Sequence, residues 1–190
     1  IDVSGVTNTG KWEGGVLAPN GSIYCVPFDI NKILRIDTLS NTTSLIDVPG
    51  LGLNASAWNG GALGPNGRIY MSPFGDNRVL VLDPSTNGIS FISGKIPGNL
   101  YVGATLAPNG NIYCIPHLST NCMIINPFTN TINNTAISGF STSDTLGQGG
   151  VLAPNGKIYC VPATVNFIRE IKTGISTLPQ WILAPSFNKY

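Results

Sequence analysis

The feature that most constrains this chain is a short segment that occurs four times. The first copy reads Gly14-Gly15-Val16-Leu17-Ala18-Pro19-Asn20-Gly21, and the apolar stretch Ile23-Tyr24-Cys25-Val26-Pro27 follows it. Later copies begin at Gly60, Gly103 and Gly149. The spacings between their asparagines are 46, 43 and 46 residues, measured on Asn20, Asn66, Asn109 and Asn155. A period of this length is typical of β-propeller blades and too long for the shorter helical repeats.

Each copy is predicted to form a β-hairpin. Pro19 presets the backbone angle at the first corner of the turn, and Asn20 and Gly21 tolerate positive φ. Pro27 ends the return strand because it lacks the N–H group that a further ladder bond requires. We expect Gly67 and Gly110, which hold the same turn position in later copies, to need positive φ.

Two further strands are predicted in every repeat. The third strands fall at residues 33–36, 79–82, 122–125 and 168–171, and the fourth strands at 43–48, 89–92, 131–137 and 175–178. Four short strands bounded by Gly, Pro or Asn are typical of a propeller blade. The sequence therefore predicts an all-β, propeller-like fold with four repeats of four antiparallel strands.

All 190 residues are assigned to a single domain. The predicted repeats cover residues 12–57, 58–100, 101–146 and 147–179, with a strand remnant at 1–11 and an opening strand at 180–190. Because unpaired strand edges are pairing surfaces, two arrangements of these terminal segments are open. They close a ring of four blades with a partial fifth in one molecule, or they complete a blade in a neighbour and give head-to-tail rings or filaments.

Composition excludes several classes of function. Hydrophobic residues make up 42% of the chain and charged residues 10%, with a formal net charge of +1. This composition supports a packed core and is the opposite of a disordered one. The sequence has no basic stripe that would follow phosphates, and no apolar segment of the roughly 20 residues that span a bilayer. We expect neither nucleic-acid binding nor membrane insertion.

The polar residues favour an extracellular or cell-surface location. Polarity is carried by Asn, Thr, Ser and Gly instead of Lys and Glu, and four Asn-x-Ser/Thr sequons begin at Asn20, Asn41, Asn54 and Asn133. Such sequons are glycan acceptors in secreted proteins. Asn20 lies in the tight turn and is the least suited of them, so Asn41, Asn54 and Asn133 are the predicted glycosylation sites.

The repeat resembles a family of tandem-repeat proteins with units of the form Trp-x-Gly-Gly-Val-Leu-Ala-Pro-Asn-Gly-x-Ile-Tyr-x-x-Pro, followed by an Ile-Asp-Pro-Ser-Thr-Asn turn. That turn is clearest at residues 82–87. More distantly, the hairpin is similar to those of lectin-type propellers, kelch repeats and gluconolactonase-like propellers. The resemblance implies propeller-like repeats and carries over no catalytic residues. The fourth repeat departs from the pattern, with Gly147 in place of the tryptophan and Lys172 in place of the aspartate.

Three aromatic residues recur at the entry to the first strand, namely Trp12, Trp58 and Tyr101. Two interpretations are open. The rings either wedge between neighbouring blades, which is the usual use of large flat side chains, or they stack on sugar rings. These three residues are therefore the candidate ligand-binding residues, and glycans are the candidate partner.

Asp37, Asp83 and Asn126 recur just after the third strand. A cation site would need several convergent carboxylates, and only two of these positions hold one. Asp and Asn at such positions commonly bond their own backbone two residues further on. We therefore expect turn capping and predict no metal site.

The four cysteines fall into two groups. Cys25, Cys114 and Cys160 share one repeat position, where a small buried apolar side chain is expected. Cys122 lies on the predicted neighbouring strand, eight residues after Cys114. We expect a Cys114–Cys122 disulfide in an oxidising compartment. Cys25 and Cys160 are expected to be free, or linked to each other where blade one meets blade four.

The sequence offers little for catalysis. His117 is the sole histidine, and the acids Glu13, Asp29, Asp76 and Asp144 are scattered singly along the chain. We therefore predict a non-catalytic extracellular structural or interaction module that uses no cofactor and self-assembles head to tail. A carbohydrate-binding, lectin-like propeller is the alternative hypothesis, and a lactonase-type hydrolase is the third.

Overall fold

The structure is a computed structural model that describes residues 3, 6, 10–52, 55–94, 101–142 and 149–174. Over these ranges the chain forms 15 β-strands, which are arranged in four antiparallel sheets. None of these segments forms a helix long and apolar enough to cross a bilayer. The predicted all-β architecture of repeated sheets is confirmed.

Each sheet corresponds to one repeat and is called a blade. Blade one contains β1 (Trp12–Leu17), β2 (Ser22–Pro27), β3 (Lys32–Asp37) and β4 (Thr42–Asp47). Blade two contains β5 (Trp58–Leu63), β6 (Ile69–Pro73), β7 (Arg78–Asp83) and β8 (Gly88–Ser93). Blade three contains β9 (Tyr101–Leu106), β10 (Ile112–Pro116), β11 (Asn121–Asn126) and β12 (Thr131–Ser138). The strands of every blade pair in the order in which they occur in the chain.

Blade four is described through β13 (Gly150–Leu152), β14 (Lys157–Cys160) and β15 (Glu170–Lys172). Its third strand begins two residues later than predicted, at Glu170 instead of Ile168. The predicted fourth strand at 175–178 and the segment 180–190 lie outside the described residues, as do most residues of the predicted remnant at 1–11.

The Pro-Asn-Gly turns join the first and second strands of each blade as predicted. Gly67 and Gly110 have φ values of +78° and +80°, which confirms the positive φ expected at both. In the first turn the Asn20 side-chain oxygen accepts a hydrogen bond from the Ser22 N–H at 3.1 Å. Glycine therefore supplies the backbone freedom, and asparagine caps the turn.

The core consists of apolar layers between successive blades. The first layer joins Tyr24 and Ile33 of blade one to Trp58 and Leu80 of blade two. Equivalent layers join blade two to blade three and blade three to blade four. Side chains alternate in direction along a strand. Each blade therefore contributes one set of side chains to its contact with the preceding blade and the other set to its contact with the following blade.

The first strands approach one another most closely at one glycine of each repeat. A Cβ atom placed on Gly60 would lie 2.6 Å from the Cα atom of Gly103. The same contact links Gly14 to Gly60 at 3.3 Å and Gly103 to Gly149 at 3.2 Å. Any side chain would push the strands apart, which explains why glycine recurs at this position.

Candidate interaction surfaces

Every blade has two faces, one toward the blade that precedes it in the chain and one toward the blade that follows it. We call the face toward the following blade the forward face, and the face toward the preceding blade the rear face. The forward face of blade one carries Val16, Tyr24, Val26 and Ile33. The rear face carries the alternate residues of the same strands, which in blade two include Ile69, Met71 and Leu82.

The forward face of blade four is exposed where the earlier forward faces are buried. Val151, Val161 and Ile168 are 63%, 44% and 66% exposed. The equivalent residues of blade one are at most 8% exposed, and these are Val16, Val26 and Ile33. The contrast arises because blade two covers blade one, whereas the described residues place no further blade against blade four.

The first strand of blade four shows the same difference at its glycine contact. Gly149 has φ of +128°, and a Cβ atom on it would meet no atom of the described residues within 4 Å. Each equivalent glycine of the earlier blades touches the glycine of the following blade. Among the described residues, no strand occupies the place beside Gly149 that the next blade fills in the earlier repeats.

The rear face of blade one is also less covered than its equivalents. Ile23, Cys25 and Ile36 are half-buried. The equivalent residues of the other three blades are buried, and these are Ile69, Met71 and Leu82, then Ile112, Cys114 and Ile125, then Ile158, Cys160 and Ile171. The two ends of the described arc thus present the two surfaces that the blades bury between themselves.

A polar clasp accompanies each internal layer. The Asn20 side-chain amide donates to the Tyr24 hydroxyl at 3.0 Å and to the Pro84 carbonyl of blade two at 3.0 Å. The Tyr24 hydroxyl lies 3.3 Å from both the Pro84 carbonyl and the Asn87 side-chain oxygen. Charge-neutral bonds of this kind give direction to an otherwise apolar contact because their partners must be aligned.

The same clasp joins the later pairs of blades. Asn66 donates to Tyr70 and to the Pro127 carbonyl of blade three, both at 2.9 Å. Asn109 donates to Tyr113 at 2.8 Å and to the Thr173 carbonyl of blade four at 2.9 Å. The turn asparagine is therefore also a contact between blades.

This second role of the asparagine and the tyrosine was not predicted from the sequence. The signal was present, because an asparagine is followed four residues later by a tyrosine in all four repeats, at Asn20, Asn66, Asn109 and Asn155. The turn alone explains why the asparagine recurs in every repeat. The contact of its side-chain amide with the next blade was therefore not predicted.

The predicted sugar-stacking residues are packing residues in blades two and three. Trp58 is 0% exposed, and its indole N–H donates to the Arg78 carbonyl at 2.7 Å. Tyr101 is buried beside Ser119, whose hydroxyl donates to it at 3.3 Å. Neither ring has a face that a sugar could cover, so this interpretation is corrected for both. Trp12 is half-buried, and its indole donates to the Lys32 carbonyl at 2.9 Å.

The predicted Cys114–Cys122 disulfide is wrong for this structure, in which all four cysteines are free. Cys114 belongs to the layer between blades two and three, and Cys122 belongs to the layer between blades three and four. Burial raises the pKa of Cys114 to about 12 and that of Cys160 to about 11. Cys25 is half-buried instead of buried, and desolvation raises its pKa as well.

The acids after the third strands cap turns, as expected. Asp37 accepts bonds from the Leu39 and Ser40 N–H groups at 3.1 and 3.0 Å. Asp83 accepts from the Ser85 N–H at 3.0 Å, and Asn126 from the Phe128 N–H at 2.9 Å. The described residues contain no cluster of three His, Cys, Asp or Glu side chains that would hold a metal.

The remaining predicted positions that the structure describes are exposed or half-buried. Asn41 and Asn133 are exposed, and Asn54 lies outside the described residues. His117 is half-buried, and its ring centroid is 5.6 Å from that of Phe74. Phe74 in turn lies 5.6 Å from Phe28, so these equivalent positions form a row of rings across blades one to three.

Comparisons of the fold identify propeller-like proteins. The chain is similar to a catalytically inactive virginiamycin B lyase from Staphylococcus aureus, with a TM-score of 0.73 and 17% identity over 91% of this chain and 56% of the lyase. It is also similar to the extracellular domain of a candidate one component system from B. thetaiotaomicron, with a TM-score of 0.64 and 13% identity over 87% of this chain and 21% of that chain. These likenesses confirm the predicted propeller-like fold.

A third similar structure is an auxiliary nutrient binding protein from Bacteroides ovatus, with a TM-score of 0.62 and 17% identity over 88% of this chain and 46% of that chain. The chain therefore spans about half the length of this protein and of the lyase. No family model matches the sequence, and no curated protein matches it. At these identities the likeness concerns the fold and does not extend to an activity.

Proposed function

We propose that this chain is a non-catalytic, extracellular structural module whose copies assemble head to tail. The forward face of blade four in one copy packs against the rear face of blade one in the next copy. The observation that carries the proposal is the exposure of Val151, Val161 and Ile168, whose equivalents in blade one are buried. The internal layers show which surface covers such a face, and blade one presents that surface.

The apolar area supplies the driving force. Full burial of an aliphatic side chain contributes about 1.5–3 kcal/mol, so the three exposed side chains of blade four contribute several kcal/mol together. Association costs translational and rotational freedom, which this gain and the contacts around it must exceed. A net charge of +1 leaves little electrostatic repulsion between copies.

A contact between two different faces of the same molecule is heterologous. It gives a closed ring if the rotation from copy to copy closes, and an open filament if it does not. Both products use the same contact. The extracellular part of the proposal is supported by exposed sequon residues Asn41 and Asn133, and by the likeness to an extracellular domain.

Sedimentation velocity over a wide range of protein concentration tests the proposal. We expect the wild-type chain to form assemblies whose size rises with concentration, or a closed ring of defined mass. The double variant Val151→Asp/Ile168→Asp should sediment as a monomer, because two carboxylates oppose burial of the forward face. Phe128→Asp is the matched control, since Phe128 is 70% exposed and lies in the β11–β12 turn, away from both end faces.

Three results would contradict the proposal. A wild-type chain that stays monomeric at millimolar concentration would show that the end faces do not associate. Assemblies that persist in the double variant would place the contact elsewhere. Turnover of a lactone by the purified chain, lost on substitution of a single side chain, would overturn the non-catalytic part.

A further inference from the structure

In the part of the chain that the structure describes, the clasp of blade four is incomplete. Asn155 donates to the Tyr159 hydroxyl at 2.9 Å, as its equivalents do to their tyrosines. Asn20, Asn66 and Asn109 each also reach a backbone carbonyl of the following blade at 2.9–3.0 Å. Within the described residues the Asn155 amide has no such carbonyl, and Asn155 is exposed.

Tyr159 differs from its equivalents in the same way. Tyr24, Tyr70 and Tyr113 are buried, whereas Tyr159 is half-buried. Tyr24 and Tyr70 lie 3.3 and 3.1 Å from an asparagine side-chain oxygen of the following blade. A phenol that is drawn into an apolar contact needs such a partner, because an unmatched buried hydroxyl is costly.

The matching acceptors are found on blade one. The acceptors of the internal clasps lie in the turn after the third strand, at the Pro84 and Pro127 carbonyls and at the side chains of Asn87 and Asn130. In blade one the equivalent positions are Thr38 and Asn41.

The turn of blade one has the geometry of an acceptor. Asn41 has φ of +54°, close to the +56° of Asn87 and the +51° of Asn130. The backbone thus holds Asn41 in the left-handed conformation that the two working acceptors adopt. Among the described residues, no hydrogen-bond donor reaches the Asn41 side-chain oxygen, and Asn41 is exposed.

We propose that the Asn155 amide of one copy donates to the Thr38 carbonyl of a second copy, and that the Tyr159 hydroxyl of the first copy contacts the Asn41 side-chain oxygen of the second. This inference rests on the proposed function, because it names the polar contact that fixes the register of the head-to-tail assembly. The apolar faces supply area, and the clasp determines how the copies are aligned.

The acceptor site is also a modification site of the sequence. Asn41-Thr42-Thr43 is one of the predicted sequons. A glycan on the Asn41 amide would stand at the position that Tyr159 of the second copy occupies. Assembly and glycosylation at Asn41 therefore exclude each other.

Single substitutions separate the clasp from the fold. Asn155→Asp keeps the side-chain oxygen that caps the Lys157 N–H at 3.1 Å, but replaces the donor with a carboxylate oxygen that faces the Thr38 carbonyl. We expect this variant to weaken association at least about tenfold while the unfolding temperature of the monomer stays unchanged. Asn109→Asp is the matched control, and it should lower the unfolding temperature because its clasp joins blades three and four in the same chain.

The acceptor side is tested by Asn41→Gly. Glycine keeps the positive φ at no steric cost but removes the side-chain oxygen. We expect weaker association, again without loss of monomer stability. When Asn41→Gly and Asn155→Asp are mixed, each copy has one intact end, so the mixture should yield a heterodimer through these ends and no larger species.

Glycosylation at Asn41 provides an independent test of the clasp. Chain made in a glycosylating host should stay monomeric when Asn41 is modified, as intact-mass analysis will show. Thr43→Val removes the sequon while it keeps a β-branched residue in β4, and it should restore assembly.

The outcomes distinguish this inference from the proposed function. Assembly that is lost in Val151→Asp/Ile168→Asp but unaffected by Asn155→Asp and Asn41→Gly would overturn the clasp and leave the head-to-tail contact standing. A wild-type chain that never assembles would overturn both. Equal loss of monomer stability in Asn155→Asp and Asn109→Asp would show that Asn155 acts within its own chain.

Discussion

Cys114 and Cys122 lie on adjacent strands of blade three and face opposite sides of the blade. The register places Cys114 opposite Met123, one residue away from Cys122. Because successive side chains of a strand point to opposite faces, this shift of one residue separates the two thiols by the thickness of the sheet. Cys114 packs toward blade two, and Cys122 packs toward blade four together with Cys160.

The first prediction concerns the reactivity of the thiols. In the folded protein we expect one cysteine, Cys25, to react with an aromatic disulfide reagent well before the others, because only Cys25 is partly accessible. Cys114, Cys122 and Cys160 should react only as the protein unfolds, since burial raises the pKa of each thiol and so disfavours the thiolate. Peptide mapping that finds a Cys114–Cys122 disulfide in folded protein would contradict the observed register.

The same reagent offers a readout of assembly. Cys25 lies on the rear face of blade one, which the proposed contact covers. Its reaction rate should therefore fall as the protein concentration rises, and it should remain constant in Val151→Asp/Ile168→Asp.

The second prediction concerns the glycine contact between the inner strands. Gly60→Ala should destabilise the fold strongly, because the new Cβ atom would lie 2.6 Å from the Gly103 backbone and φ at this position is +69°. Gly21→Ala is the matched control, with φ of +79° and no atom of the described residues within 4 Å of the new Cβ. Backbone strain alone should lower the free energy of unfolding of the control, by about 1–3 kcal/mol. Equal free energies of unfolding for the two variants in urea would show that the strands can move apart.

The third prediction separates packing from sugar binding at the recurring aromatic position. Trp58→Ala should lower the free energy of unfolding by about 3–5 kcal/mol, because it empties a site in the layer between blades one and two. Trp58→Phe retains most of the volume but loses the bond to the Arg78 carbonyl, so it should cost less. Chemical denaturation gives both values. A stable Trp58→Ala variant that has lost glycan-array binding would instead support the lectin hypothesis.

The fourth prediction concerns alkaline pH. Burial raises the pKa of Tyr101 to about 12 and that of Cys114 to about 12. In the unfolded chain these groups ionise near pH 10 and about pH 8.5. Since the folded-state pKa values are the higher ones, their contribution is fully present below about pH 8.5 and is lost as the pH rises toward 12.

Urea denaturation at several pH values measures this loss. The free energy of unfolding should be level between about pH 6 and 8 and then fall, as the unfolded chain releases protons that the folded chain retains. Cys114→Ala should be less stable at every pH but show a shallower fall above about pH 8.5. An unchanged slope in this variant would mean that Cys114 ionises equally readily in the folded state.

Local chemistry made the blade predictable from the sequence. The Pro-Asn-Gly turns, the alternating apolar strands and the prolines that end them each determine structure within about ten residues, and the strands appear close to the predicted positions. The fourth strands at 42–47, 88–93 and 131–138 agree with the predicted segments within one or two residues.

The contacts between blades were harder to predict from the sequence, because they depend on strand register and on which face each strand presents. A spacing of eight residues suggested a Cys114–Cys122 bond, but the turn between β10 and β11 determines that the two side chains alternate in direction. Likewise, the sequence shows Trp58 beside glycines without showing that blade one covers it. The Asn20 amide has its partner 64 residues away at Pro84, a distance that no local pattern bridges.

The clasp also has a consequence for how such a chain changes in length over generations. Each described clasp joins the asparagine of one repeat to the turn of the repeat that follows, as Asn66 joins Pro127 and Asn109 joins Thr173. Stability then resembles a sum of units and nearest-neighbour contacts. Duplication or loss of one whole unit in the gene would create a junction with the same donor and the same carbonyl. The number of blades is therefore a quantity that recombination can alter in single steps, without any compensating substitution elsewhere in the chain.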